Sequence, residues 1–83
     1  GSGIGVDVAA NKFKGIRSAL IFNVEQARMS RNDDNANVLS FPADFTPENL
    51  AKEIVKIWLE TSYAKLEKYE MRINKIKNIE ETK

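Results

Sequence analysis

The 83-residue sequence contains no cysteine and no histidine. The first absence removes disulfides and thiol chemistry; the second removes the commonest metal ligand and the commonest general base. Chemistry within the chain falls to carboxylates, amides, hydroxyls and cations. An excess of either charge is also lacking. Thirteen basic and 12 acidic residues leave a net charge of +1, mixed along the chain without a basic stripe, which argues against a nucleic-acid partner. No apolar run approaches the ~20 residues of a membrane span. No charged-then-apolar signal segment is visible either, so a cytoplasmic protein with no membrane partner is expected. A chain this short forms one domain at most and leaves roughly 40% of its extended surface exposed, so its core is thin and a partner is expected.

The glycines that are present are concentrated: Gly1, Gly3 and Gly5 fall within the first five residues. Such a run turns the backbone tightly and aims amide groups at an anion, and a following helix adds its positive dipole end. Ile4 to Asn11 reads as that helix, residues 12–15 as a turn, and Ile16 to Phe22 as a buried strand. Asn23 with Gln26 is a helix cap and its reciprocal partner, opening a helix to about Arg31. Asn32-Asp-Asp-Asn35 is a polar turn, and Ala36 to Phe41 a second strand stopped by Pro42. Thr46-Pro47-Glu48 starts a helix with proline at its first position, running to about Thr61. Leu50, Ile54, Ile57 and Trp58 lie on one side of it, widened by Ala51, Val55 and Leu59. A C-terminal helix over residues 64–80 carries Leu66, Tyr69, Ile73 and Ile76 at spacings of three and four. The expected fold is α/β, with two parallel strands and about four helices. Two strands leave open edges, so further strands are expected from an N-terminal half.

The stretches Gly1-Ser-Gly-Ile-Gly-Val-Asp-Val-Ala-Ala-Asn-Lys12, Gly15-Ile-Arg-Ser-Ala-Leu20 and Ala27-Arg-Met-Ser-Arg31 resemble ribose-5-phosphate isomerase B and galactose-6-phosphate isomerase. The likeness continues through Ala36-Asn-Val-Leu39, Leu50-Ala-Lys-Glu-Ile-Val55, Trp58-Leu59 and Arg72-Ile-Asn-Lys-Ile76. It covers nearly the whole chain as the C-terminal half of one isomerase domain with a doubly wound, Rossmann-like sheet. It implies an aldose–ketose isomerase of the ribose 5-phosphate to ribulose 5-phosphate type, working through an enediolate and needing no cofactor or metal. A phosphorylated sugar as substrate and a homodimer with its active site at the interface are implied with it.

Residue by residue, the resemblance makes Ser2, Gly3 and Gly5 the enediolate-stabilising loop, with Gly1 in contact with substrate. Lys68 and Arg72, neighbours on one helix face, stand where the family has two arginines that clamp phosphate; lysine keeps the charge but loses the planar fork. Asp33 and Asp34 hold the places of a histidine linked to sugar ring opening and an asparagine that binds substrate hydroxyls, and are expected to face the partner's site. Asp44 replaces an arginine of many members. The family's base is a cysteine just before the position of Gly1, or a glutamate at the position of Val6, so the chain carries none and alone is expected to be inactive. Asp7 is shifted by one residue, about 100° around a helix, and reads as a first-turn carboxylate. Apart from the resemblance, each feature has a plainer reading. The glycines form an exposed loop, Lys68 and Arg72 a solvated pair, Asp33 and Asp34 a polar helix end, Trp58 a core residue, and Arg17 reaches a surface carboxylate. A noncatalytic, isomerase-derived dimerisation or assembly module is the alternative function.

Overall fold

A computed structural model describes residues 1–82. The elements run α1 (Ile4–Ala10), β1 (Ser18–Leu20), α2 (Val24–Asn32), β2 (Val38–Ser40), α3 (Glu48–Glu60) and α4 (Glu67–Glu81). Strands β1 and β2 pair in parallel, Ser18 opposite Val38, Ala19 opposite Leu39 and Leu20 opposite Ser40. The crossover is α2, as a parallel pair requires. Strand alternation turns Ser18, Leu20, Val38 and Ser40 to one face and Ala19 and Leu39 to the other.

The second face carries the core. Ile21, Ala27 and Ile54 are fully covered, and Ala19, Val24, Leu39, Leu50, Ile57 and Trp58 pack around them. The helix periodicity of α3 therefore serves packing, with Trp58 in the core layer as the spacing predicts. The opposite face receives α1 through polar contacts instead. Large apolar side chains remain exposed on α1 (Ile4, Val6, Val8) and α4 (Met71, Ile76, Ile79). The Cα trace spans 39 × 26 × 13 Å with a radius of gyration of 13.2 Å, above the about 12 Å of a compact chain of this length. The core is thin, and the flat shape shows why.

Element boundaries depart from the pattern for identifiable reasons. The expected strand over 16–22 is a three-residue ladder, because Asn37 replaces strand pairing at its start. Its Oδ1 accepts from Arg17 N at 2.8 Å and its Nδ2 donates to Gly15 O at 2.8 Å. Asn23 caps α2 by accepting from Gln26 N at 2.8 Å, while Gln26 Oε1 accepts from Phe22 N, one residue earlier than a capping box requires. Pro47 caps α3 instead of occupying its first turn, its carbonyl accepting from Ala51 N at 2.9 Å. The helix expected over 64–80 begins at Glu67, since Lys65 takes a left-handed φ of 57°. Among the described residues Arg17 pairs with no carboxylate; its Nε donates to Asn35 O at 3.0 Å.

Arg31 ties three segments together. Its guanidinium lies 5.2 Å from the Trp58 ring centroid, its Nε donates to Thr61 O at 3.3 Å, and its Nη1 donates to the carbonyl of buried Ala36. Arg31→Met keeps the apolar stem and strands that carbonyl, so we expect a loss of about 1–2 kcal/mol in urea unfolding.

Candidate functional site

The glycine loop lies at the carboxyl ends of both strands, where open α/β sheets place their ligands. Gly3 adopts φ 81°, and a Cβ there would sit 2.8 Å from Leu20 Cδ1 and 2.9 Å from Phe41 O. Glycine alone fits this approach. Gly3 O accepts from Asp7 N at 3.1 Å to close the first turn of α1, and Gly1 O accepts from Asp44 N at 3.2 Å. Ser2 Oγ accepts from Ile4 N at 3.3 Å, so the hydroxyl holds the turn. Gly5 is exposed, with open space around its Cα. Gly3 and Val6 face Leu39, Ser40, Phe41 and Ala43 across a shallow cleft of about 250 Å³. That volume falls below the roughly 300–1,000 Å³ of a ligand pocket.

The other named residues gather elsewhere. Asp33 closes α2 and Asp34 follows it, ahead of the amino end of β2. Lys68 Nζ and Arg72 Cζ lie 5.2 and 5.9 Å from the Tyr69 ring centroid. Burial raises the Asp34 carboxyl above its ordinary 3.8, the Asp33 charge adds to this, and Arg72 opposes it. Burial and the Asp33 carboxylate raise the Tyr69 hydroxyl in the same way, so Asp33, Asp34, Tyr69 and Arg72 share one neighbourhood. Alongside, burial pushes the Tyr63 hydroxyl up to about 12, helped by Glu70, whose Oε1 accepts its hydrogen bond at 2.7 Å. Strand β2 separates this neighbourhood from the loop, since Asp33 and Asp34 precede its amino end and Phe41 O meets Gly3 just past its carboxyl end. Within one chain, then, the structure brings together Gly1, Ser2, Gly3 and Gly5 at one end and Asp33, Asp34 and Arg72 at the other, with Lys68 on α4 beside Tyr69.

A third arrangement escaped the sequence pattern. Asp7 on α1 and Asn11, the residue that caps its carboxyl end, stand four residues apart and both hold Ser18. Asn11 Oδ1 accepts from Ser18 N at 2.7 Å and Asn11 Nδ2 donates to Ser18 O at 3.0 Å, while Asp7 Oδ1 accepts from Ser18 Oγ at 2.6 Å. Ser18 Oγ lies 3.0 Å from Ser40 Oγ. Because an ionised carboxylate only accepts, the Ser18 proton goes to Asp7 and Ser40 must donate to Ser18. A lone hydroxyl opening an otherwise apolar strand was the one visible signal.

The model of the Ribose/Galactose Isomerase family matches residues 1–76. The chain belongs to this family. It is 41% identical over 63 residues to ribose-5-phosphate isomerase B of Escherichia coli, covering 76% of this chain and 42% of that protein. A galactose-6-phosphate isomerase subunit, LacB of Clostridium acetobutylicum, is 40% identical over 63 residues, 76% of this chain and 36% of its own length. The structure of type B ribose 5-phosphate isomerase from Trypanosoma cruzi superposes with a TM-score of 0.98 at 37% identity, covering 100% of this chain and 55% of that one. The chain thus spans about half the length, or less, of these relatives. Its parallel strands and four helices correspond to part of the family's α/β fold.

Against this family background, Asp34 carries a measurable cost. An acid held above its unfolded value binds its proton more tightly when folded, so stability falls as pH rises past 3.8. Asp34→Asn is expected to raise the melting temperature at neutral pH, and the gain should vanish once the medium is well below pH 3.8. Melting curves of both proteins across pH check this.

Proposed function

We propose that this chain is the C-terminal half of an aldose–ketose isomerase acting on a phosphorylated sugar, of the ribose 5-phosphate to ribulose 5-phosphate type. The reaction moves a proton between neighbouring carbons through an enediolate, so it needs a base, donors for the developing oxyanion and a phosphate clamp. The loop of Ser2, Gly3 and Gly5 serves as the oxyanion wall, with Gly1 against the substrate. Lys68 and Arg72 grip the phosphate, and Asp33 and Asp34 meet sugar hydroxyls. Asp44, whose backbone pairs with Gly1, puts a carboxylate beside the loop. That charge disfavours phosphate there and supports the orientation with the carbonyl end of the sugar on the loop. The base lies in residues outside this chain, so the 83 residues alone turn over no sugar.

The observation that carries the reading is the placement of loop and cations at opposite ends of the sheet. In a homodimer one protomer supplies the loop and its partner supplies Asp33, Asp34, Lys68 and Arg72. Mixing tests this. In the natural polypeptide carrying this segment, a Gly3→Val variant should be inactive on ribose 5-phosphate, and an Arg72→Ala variant should retain about a hundredth of the parent rate at substrate concentrations well below KM. Unfolding and refolding them together should restore activity, because mixed dimers contain one site with both intact groups. Two soluble, folded variants that regain nothing on mixing would refute the shared site.

A further inference from the structure

We infer that Asp7, Asn11, Ser18 and Ser40 form a positioning device that sets the loop wall against the strand ends, a role resting on the isomerase reading above. Three hydrogen bonds from the side chains of Asp7 and Asn11 converge on the single residue Ser18, at 2.7, 3.0 and 2.6 Å. The backbone N–H and C=O of Ser18 point away from β2, since Arg17 O and Ile21 N are the groups that meet that strand. Asn11 therefore meets β1 on the edge away from β2, taking both backbone groups of Ser18. Asp7 occupies the face, so α1 is fixed in two directions at once.

The chain of hydrogen bonds does not stop at β1. Ser40 donates to Ser18, is only 7% exposed, and itself lines the loop cleft beside Gly3 and Val6. Asp7 N also donates to Gly3 O. The carboxylate that grips the sheet thus belongs to the residue that closes the glycine turn, and the last hydroxyl of the network is part of the opposite cleft wall. One network spans both walls. With Gly3 allowing no closer approach to Phe41, a shift of α1 opens the cleft and displaces the loop amides.

Ser18→Ala removes the link to Asp7 and leaves the Ser40 hydroxyl without its acceptor, while both backbone bonds to Asn11 survive. Ser18→Thr restores the hydroxyl on a residue that suits a strand. In the natural polypeptide carrying this segment, Ser18→Ala should lower kcat for ribose 5-phosphate about tenfold or more with KM within about twofold, because misplaced donors are felt in the transition state. Ser18→Thr should recover most of kcat. A second readout needs no turnover: exchange with deuterium of the Asp7 and Asp44 amides, which donate to Gly3 O and Gly1 O, should accelerate in Ser18→Ala and return to the parent rate in Ser18→Thr. If Ser18→Ala merely lowers the melting temperature, with kcat and both amide rates unchanged, the network is packing and the inference falls. If the parent turns over no aldose phosphate, the isomerase reading fails by itself, and the amide rates still decide whether the network positions the loop.

Discussion

Gly3→Ala is expected to destabilise the chain by about 3 kcal/mol, combining a left-handed backbone cost of roughly 1–2 kcal/mol with the cost of forcing a methyl into a packed contact. The added Cβ would meet Phe41 O at 2.9 Å, and a carbonyl tied into a strand end cannot swing away as a flexible side chain does. Two other glycines calibrate the result. Gly15 shares a positive φ of 80° but has open space, so Gly15→Ala should show only the backbone cost, about 1 kcal/mol. Gly5 lies inside α1 with nothing within 4 Å, so Gly5→Ala should stabilise by about 0.5–1 kcal/mol. Urea unfolding of the three variants separates conformation from contact. Equal effects at positions 3 and 15 would mean that the loop does not press on the strand ends.

The second large effect concerns Arg72. A guanidinium gripping a phosphate makes charge-assisted, bidentate bonds, and truncation to alanine should lower kcat/KM for ribose 5-phosphate about a hundredfold in the natural polypeptide, mostly through KM. The fold should tolerate the change, since Arg72 is exposed and its neighbour Tyr69 keeps Lys68 within 5.2 Å. Lys68→Arg should act in the opposite direction, supplying the planar fork that lysine lacks and lowering KM by a few-fold, about threefold. Steady-state kinetics on the two variants check the sign of each. An Arg72→Ala enzyme with unchanged KM would remove the cation from the phosphate clamp.

Much of the fold could be read from local chemistry. Asn23 and Gln26 announced the start of α2, Pro42 the end of the second strand region, and Leu50, Ile54, Ile57 and Trp58 the packed face of α3. These signals are local, so spacing reveals them. The strand ends were not legible, because Asn37 and Asn11 complete them with side-chain amides that a hydrophobic pattern does not register. The start of α4 was missed for a different reason. Lys65 adopts a left-handed conformation that its residue type does not favour, so no sequence signal marks the break there.

The candidate site divides in the same way. Gly1, Gly3 and Gly5 stood out as a cluster, and the need for glycine is physical at Gly3 and absent at Gly5. The Asp7–Ser18–Ser40 network joins residues 11 and 22 positions apart, a distance only the folded sheet closes. The separation of the loop from Asp33, Asp34 and Arg72 was likewise invisible until the parallel strands set the two groups at opposite ends. A motif names which residues matter; the topology decides which of them can meet within one chain.

The decisive measurement is conversion of ribose 5-phosphate by the natural polypeptide carrying this segment, followed by proton NMR in deuterated water. An enediolate route predicts ribulose 5-phosphate with deuterium incorporated at the carbon that receives the transferred proton, to the extent that the base exchanges with solvent. It also predicts loss of turnover in the Gly3→Val variant. A folded polypeptide that leaves ribose 5-phosphate and other aldose phosphates unchanged, with no deuterium entering the sugar, would contradict the isomerase assignment.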